Sequence, residues 1–394
     1  MPRATRSSYF TAGLVLLALL AMAALVTGCS RSWSNFSQYP GFSDYYAQHP
    51  RSTQAATAAE QALLQRFRPR LFLDQDAEGP ISFYADYIAQ GSLSAADGTL
   101  LSRQVDSQLL NQYKASSEVV FSHQPESRPV NPQAFGRVDY DQHPVLGRLS
   151  FLTYHFVFRN SGIVASLPGW QSLLLPLAGD LDDWHQLDHY TAATLVLDPQ
   201  SQPLALMLQQ HNNLRSYVLG VDLLTPDNLA VRLVAAKRSN ELYPWHPGIK
   251  EHPVVRFLNP DTLPYLVTGE PKPWVTGYDL TQAVREAEYE LAFIPPDDAF
   301  YSFAGFLGER RRLPGRDGPP GADYNSRPAF KRPLVQLAAF NWQEGDQEQM
   351  HALLQFFQNT DLEQPPFQRL LQLFERKLAA RQATNIEGES TSNP

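Results

Sequence analysis

One cysteine, Cys29, stands in the whole chain of 394 residues. With no second thiol, neither an internal disulfide nor a multi-thiolate metal site can form. Positive charge is short as well. Lys and Arg number 32 against 40 Asp and Glu, for a net charge of −8, which excludes a nucleic acid or an anionic surface held by bulk attraction. Several enzyme signatures are missing. There is no Gly-x-Ser-x-Gly elbow, no Walker or dinucleotide-binding glycine pattern and no His-Glu-x-x-His. The acidic loops also lack the glycine and closing glutamate of an EF-hand.

What is present begins with the leader. Arg3 and Arg6 precede an uncharged stretch from Phe10 to Val26, and Leu25-Val26-Thr27-Gly28-Cys29 follows directly. A basic start, an apolar middle and small residues at a cut site form a secretory signal. The apolar stretch is short for a ~30 Å hydrocarbon layer that wants ~20 residues. A cysteine at the cut itself resembles the lipobox of bacterial lipoproteins. That resemblance implies cleavage before Cys29, a diacylglyceryl group on its thiol and a membrane as partner. Ser30, in place of aspartate, implies sorting to the outer membrane, facing the periplasm.

The whole chain is 43% hydrophobic and 11% aromatic, enough for a core without cross-links. Its 31 prolines favour many turns and short elements. Residues 1–28 are read as the signal peptide, 29–52 as a tether, 53–345 as the main domain, 346–382 as a helical pair packed on it, and 383–394 as a disordered tail. Helices are expected over Thr53–Phe67 (capped by Ser52 or Thr53), Leu100–Tyr113, Asp279–Phe293, Asp346–Gln358 and Pro366–Arg381. Strands are expected at Arg68–Asp74, Arg148–Phe158, Tyr190–Leu197, Leu204–Gln210, Ser216–Gly220, Ala230–Ala235 and Val254–Leu258. In the second of these, alternation sets Leu152, Tyr154, Phe156 and Phe158 against Thr153 and His155. The fold class is α+β: an antiparallel β-sandwich core with peripheral helices and a C-terminal helical pair.

The densest polar cluster is Asp180, Asp182, Asp183, Trp184, His185, Asp188 and His189. Carboxylates and imidazoles at that density suit a divalent cation, the one cofactor the sequence offers. If the strands flanking Asp198–Pro203 form a hairpin, Tyr190 opposes Gln210 or His211, and His211 joins the cluster at one end of the sheet. Asp183, His185, His189 and His211 are then the candidate metal ligands, with Asp180, Asp182 and Trp184 as ligand-binding neighbours. The other reading is a solvated turn. Ser161–Gly179 carries no charge and either covers the sandwich core, dips into a bilayer, lines an apolar pocket or meets another envelope assembly. Arg310, Arg311, Arg312 and Arg316 sit in a Gly/Pro-rich loop that can grip an anion bidentately or simply stay exposed.

Tyr154-His155-Phe156, then Asp182-Asp183-Trp184-His185, then Gln210-His211-Asn212 looks like a widespread β-sandwich pattern. It is Gly-Asp-Trp-Glu-His followed by a hairpin ending in Ser-x-His, found in vacuolar protein-sorting-like and necrosis-inducing proteins. Phe303-Ala304-Gly305-Phe306-Leu307-Gly308 with Gly318-Pro319-Pro320 is similar to the glycine pattern that follows in the former. The likeness spans residues 148–325. It implies a cation held by Asp183 and His211, with His185 standing where those families have glutamate.

The sequence thus leads to a lipid-anchored envelope lipoprotein that binds a ligand or partner at the Asp180–His211 end, the partner being an envelope protein or a lipid. The competing reading is a metal-assisted hydrolase of an envelope lipid or glycan, with Asp180 or Asp182 as base.

Overall fold

The computed structural model describes residues 50–75, 77–123, 130–159, 191–210, 213–221, 231–235, 240, 242–245, 284–308, 318, 320–325, 333–334, 337, 372 and 374–380. In chain order the elements are α1 (Ala58–Arg66), β1 (Arg70–Asp74), a π-turn (Phe83–Tyr87) running into a 3-10 turn (Ile88–Gln90), β2 (Gly91–Ala95), β3 (Leu100–Ser102) and α2 (Ser107–Gln112). Then follow β4 (Val119–His123), β5 (Gln133–His143), β6 (Gly147–Phe156), β7 (Thr191–Leu197), β8 (Pro203–Gln210), β9 (Asn213–Val218), β10 (Arg232–Ala235) and β11 (Leu242–Pro244). Last come β12 (Val284–Ala287), β13 (Glu290–Ala292), α3 (Ala299–Ser302), β14 (Phe306–Leu307) and α4 (Ala322–Asn325). The protein is mixed α+β, mostly strand.

Three sheets are formed, ordered β11-β10-β1-β12, β13-β5-β6-β7-β8-β9 and β14-β4-β2-β3. Strands β5 to β9 of the second form an antiparallel run, as expected. The sheets as a whole are mixed: β1 pairs β10 in parallel, β13 pairs β5 in parallel, and β14 pairs β4 in parallel. The expectation of an all-antiparallel core is therefore corrected. Each parallel pair joins strands far apart in the chain, which alternation within one strand cannot reveal.

One face of the six-stranded sheet supplies Leu152, Tyr154, Phe156, Leu195, Leu197, Leu206 and Leu208 to an apolar cluster. Leu71, Leu73, Leu233 and Ala287 of the β1 sheet and Leu64 of α1 complete it. The Tyr154 hydroxyl donates to the Leu64 carbonyl at 2.9 Å, so this buried phenol is satisfied. A second cluster joins Phe135 and Val157 to Leu93, Phe121 and Leu307 of the third sheet and to Phe83, Tyr87, Phe300 and Phe303. Closure here is tight: a Cβ on Gly305 would lie 2.3 Å from the Val119 carbonyl oxygen, so only glycine fits that approach.

Local expectations divide by how local their cause is. The strand read at Arg148–Phe158 is β6, and the hairpin about Asp198–Pro203 is β7–β8 with Ala193 opposite Leu208. The first helix starts later than expected. Its cap is Thr57, which closes a capping box with Glu60, rather than Ser52 or Thr53. The helix expected over Leu100–Tyr113 is strand β3 followed by α2, whose cap is Asp106. The helix expected over Asp279–Phe293 contains β12 and β13 instead. There β12 lies antiparallel against β1 and β13 lies along β5, and tertiary pairing overrides a Glu/Ala/Arg composition that locally favours helix. Of the C-terminal pair, residues 374–380 are helical. Val254–Leu258, Ser161–Gly179, Asp346–Gln358 and the 383–394 tail lie outside the described residues, as do residues 1–49. No helix among the described residues is long and apolar enough to cross a membrane.

Candidate functional site

The second face of the six-stranded sheet is the unusual one. By alternation β5 places Phe135, Arg137 and Asp139 on it, and β6 places Phe151, Thr153 and His155 beside them. The pairs Phe135–His155, Arg137–Thr153 and Asp139–Phe151 are all in register. A face of this kind on an edge of the fold would meet water. Here Arg137, His155 and Thr153 are all buried. Thr153 and Thr194 share a hydroxyl hydrogen bond of 2.9 Å across β6–β7.

Arg137 organises the cluster. Its Nη1 lies 3.0 Å from Oδ1 of Asp323, which is fully buried at the start of α4. Its Nε donates to Asp139 Oδ2 at 2.9 Å. Its guanidinium lies 4.6 Å from the centre of the Tyr301 ring, a cation–π contact. A second guanidinium, Arg51, reaches the other Asp323 oxygen at 2.7 Å. Two cations and two carboxylates therefore balance among the described residues. Burial alone would lower the Arg137 pKa, but Asp139 and Asp323 raise it well above the usual range.

His155 meets Tyr301 edge to face at 5.3 Å and Phe300 at 5.8 Å. Burial, then the positive charges of Arg137 and Arg51, drive its pKa well below the ordinary imidazole value. Burial pushes the Tyr301 phenol up. The His155 Nδ1 and the Tyr301 hydroxyl have no hydrogen-bond partner among the described residues. An imidazole of such low basicity keeps a single ring N–H and resists taking up a second proton. The cluster is therefore suited to hold a polar group in a dry place rather than to relay protons.

The residues expected to form a site lie elsewhere. Cys29, Asp180, Asp182, Asp183, Trp184, His185, His189, His211, Arg310, Arg311, Arg312 and Arg316 are all outside the described residues. What the structure does give is their flanks. Thr191 opens β7 opposite Phe156, and Gln210 closes β8 opposite Asn213. Among the described residues no three His, Cys, Asp or Glu side chains gather closely enough for a metal ion.

Sequence reading did not find the Arg137–Asp323 pair. The partners are far apart in the chain, and β5 lacks a clean apolar alternation because the buried position 137 is charged. The one available signal was His155, set by alternation on the face opposite Tyr154. The chain matches no protein-family model, no curated protein sequence and no solved structure.

Proposed function

We propose that this protein is a lipid-anchored envelope lipoprotein whose body is a β-sandwich. Its layers are the β5–β9 sheet and the β1 sheet, and it binds a ligand at the end where β7 begins and β8 ends. Support for the two layers comes from the apolar cluster that contains side chains of both sheets. The anchor rests on the Leu25–Cys29 motif and the charged start before it.

The observation that carries the binding reading is the β7–β8 register, Ala193 opposite Leu208. Were that register to continue for three more pairs, residue 190 would oppose residue 211. The acidic, imidazole-rich run from Asp180 to His189 and the imidazole of His211 would then meet at one strand end. This is the convergence from separate segments that a binding site needs. A divalent cation is the ligand that such a donor set favours. His155, one residue from the same end of β6, is held neutral, which favours holding a ligand over acid–base turnover.

The test is elemental analysis of the purified full-length protein and of its His211→Ala variant, with thermal melts in zinc, calcium and magnesium. The wild type is expected to retain about one cation and to melt higher in its presence. A cation at 100 times its Kd stabilises by about 2.7 kcal/mol. His211→Ala should lose both effects. A wild-type protein that carries no cation and melts unchanged in all three would overturn the reading.

A further inference from the structure

Residues 51–57 take in the end of the expected tether and, although Ser52, Thr53, Gln54 and Thr57 are exposed, they are tied to the body at several points. Arg51 inserts its guanidinium against the fully buried Asp323, keeping 18% of its side-chain surface exposed. The Ser52 carbonyl accepts the amide of Asp297, just before α3, at 3.2 Å. Ala56 packs against the first apolar cluster. Thr57 then caps α1. In seven residues the chain touches the Asp323 cluster, the α3 entry and the main core.

Among the described residues, Arg51 and Arg137 both pair with Asp323, and Arg137 pairs with Asp139 as well. Without it, Arg137 alone would face two carboxylates, one of them without any solvent access. An unbalanced buried charge is strongly destabilising. The segment cannot lift away without exposing that imbalance.

We propose that Arg51 is a latch that locks the tether into the body, so that holding the tether and balancing the buried charge cluster are one event. The tether's membrane connection rests on the lipoprotein reading above; the latch itself does not. It stores its strength in charge balance rather than in area, which distinguishes it from an ordinary packed strap.

The experiment uses the full-length chain in detergent and combines hydrogen exchange with melting of four proteins: wild type, Arg51→Gln, Asp139→Asn and the double variant. Arg51→Gln should lower the melting midpoint and speed exchange of the Asp297 amide by at least about tenfold. Amides of the β6–β7 ladder should not change. Asp139→Asn should lower the midpoint in the wild-type background and raise it in the Arg51→Gln background, since neutrality is then restored. Arg51→Lys, which keeps the charge, should fall between the two. If Arg51→Gln is too unstable to purify, the double variant and Arg51→Lys carry the same comparison. An Asp297 amide unaffected by Arg51→Gln, or an Asp139→Asn effect equal in both backgrounds, overturns the latch. Failure of the lipid anchor would appear separately, as a chain that fractionates away from membranes with these readouts intact.

Discussion

His123, His143 and His155 are each buried, and each titrates below the ordinary imidazole value. For His123 burial, with the charge of Arg159 adding to it, brings the pKa to about 4. Its ring stacks on Tyr87 with centroids 4.4 Å apart. His143 uses Nδ1 to accept the amides of Val145 and Leu146, both at 3.1 Å, so its proton sits on Nε2. A folded-state pKa below the unfolded one means the unfolded chain binds more protons. Stability from these groups is therefore complete above about pH 6.5 and drains away as pH falls toward 4, by up to about 1.4 kcal/mol per histidine per pH unit. Melting midpoints should be flat from pH 8 to 7 and fall progressively below 6.5. His123→Phe, which preserves a ring against Tyr87, should make that fall shallower between pH 6 and 4.5. A midpoint that rises on acidification would contradict the burial of these rings. At this scale the sequence was partly legible. Alternation set His155 apart from Tyr154, whereas nothing near Arg137 announced a partner at Asp323.

Among the elements, those whose causes lie within a few residues could be read. The β7–β8 hairpin follows from two apolar runs and a Pro/Asp/Ser/Gln turn, in which Asp198 Oδ1 accepts the amides of Gln200 and Gln202. Thr57 with Glu60 is a local signature too, displaced by five residues from the cap first expected. Residues 279–293 went wrong for the opposite reason. Val284–Ala287 and Glu290–Ala292 are strands only because β1 and β5 are there to pair with them. The short β14 depends on close approach in the same non-local way. Gly305 precedes it, and any side chain there meets the Val119 carbonyl oxygen. Gly305→Ala is accordingly expected to cost about 1–3 kcal/mol, read as a lower urea midpoint with an unchanged slope. An unchanged midpoint would show that β4 and β14 can separate without loss.

For the molecule as a whole, composition pointed to the class, an α+β fold that no disulfide can cross-link, but not to the sheet order. The candidate ligands Asp183 and His211 and the arginines from Arg310 to Arg316 were legible as residue types in a pattern. Their meeting depends on strand register, which only partly follows from the sequence. The proposed anchor makes a direct prediction at this scale. Cys29→Ala should leave the leader uncleaved and the chain without an acyl group, read by mass spectrometry as an amino-terminal peptide that still carries residues 1–28. Mass spectrometry of the wild type should show an acylated residue 29 as the new amino terminus. A free thiol at position 29 of the wild type, or a Cys29→Ala variant cleaved at the same bond, would refute the anchor.

The placement of β1 has a consequence for how the chain is made. This strand comes early in synthesis, yet its neighbours are β10 on one side and β12 on the other, both more than 150 residues downstream. Until residues 232–235 emerge, both hydrogen-bonding edges of β1 are open, and one of them stays open until residues 284–287 are made. Long-range pairing of this kind is slow to form and leaves sticky intermediates on the way. The β1 sheet therefore cannot be completed until residue 287 has been made. A protein truncated before β12 should aggregate rather than yield a stable amino-terminal fragment.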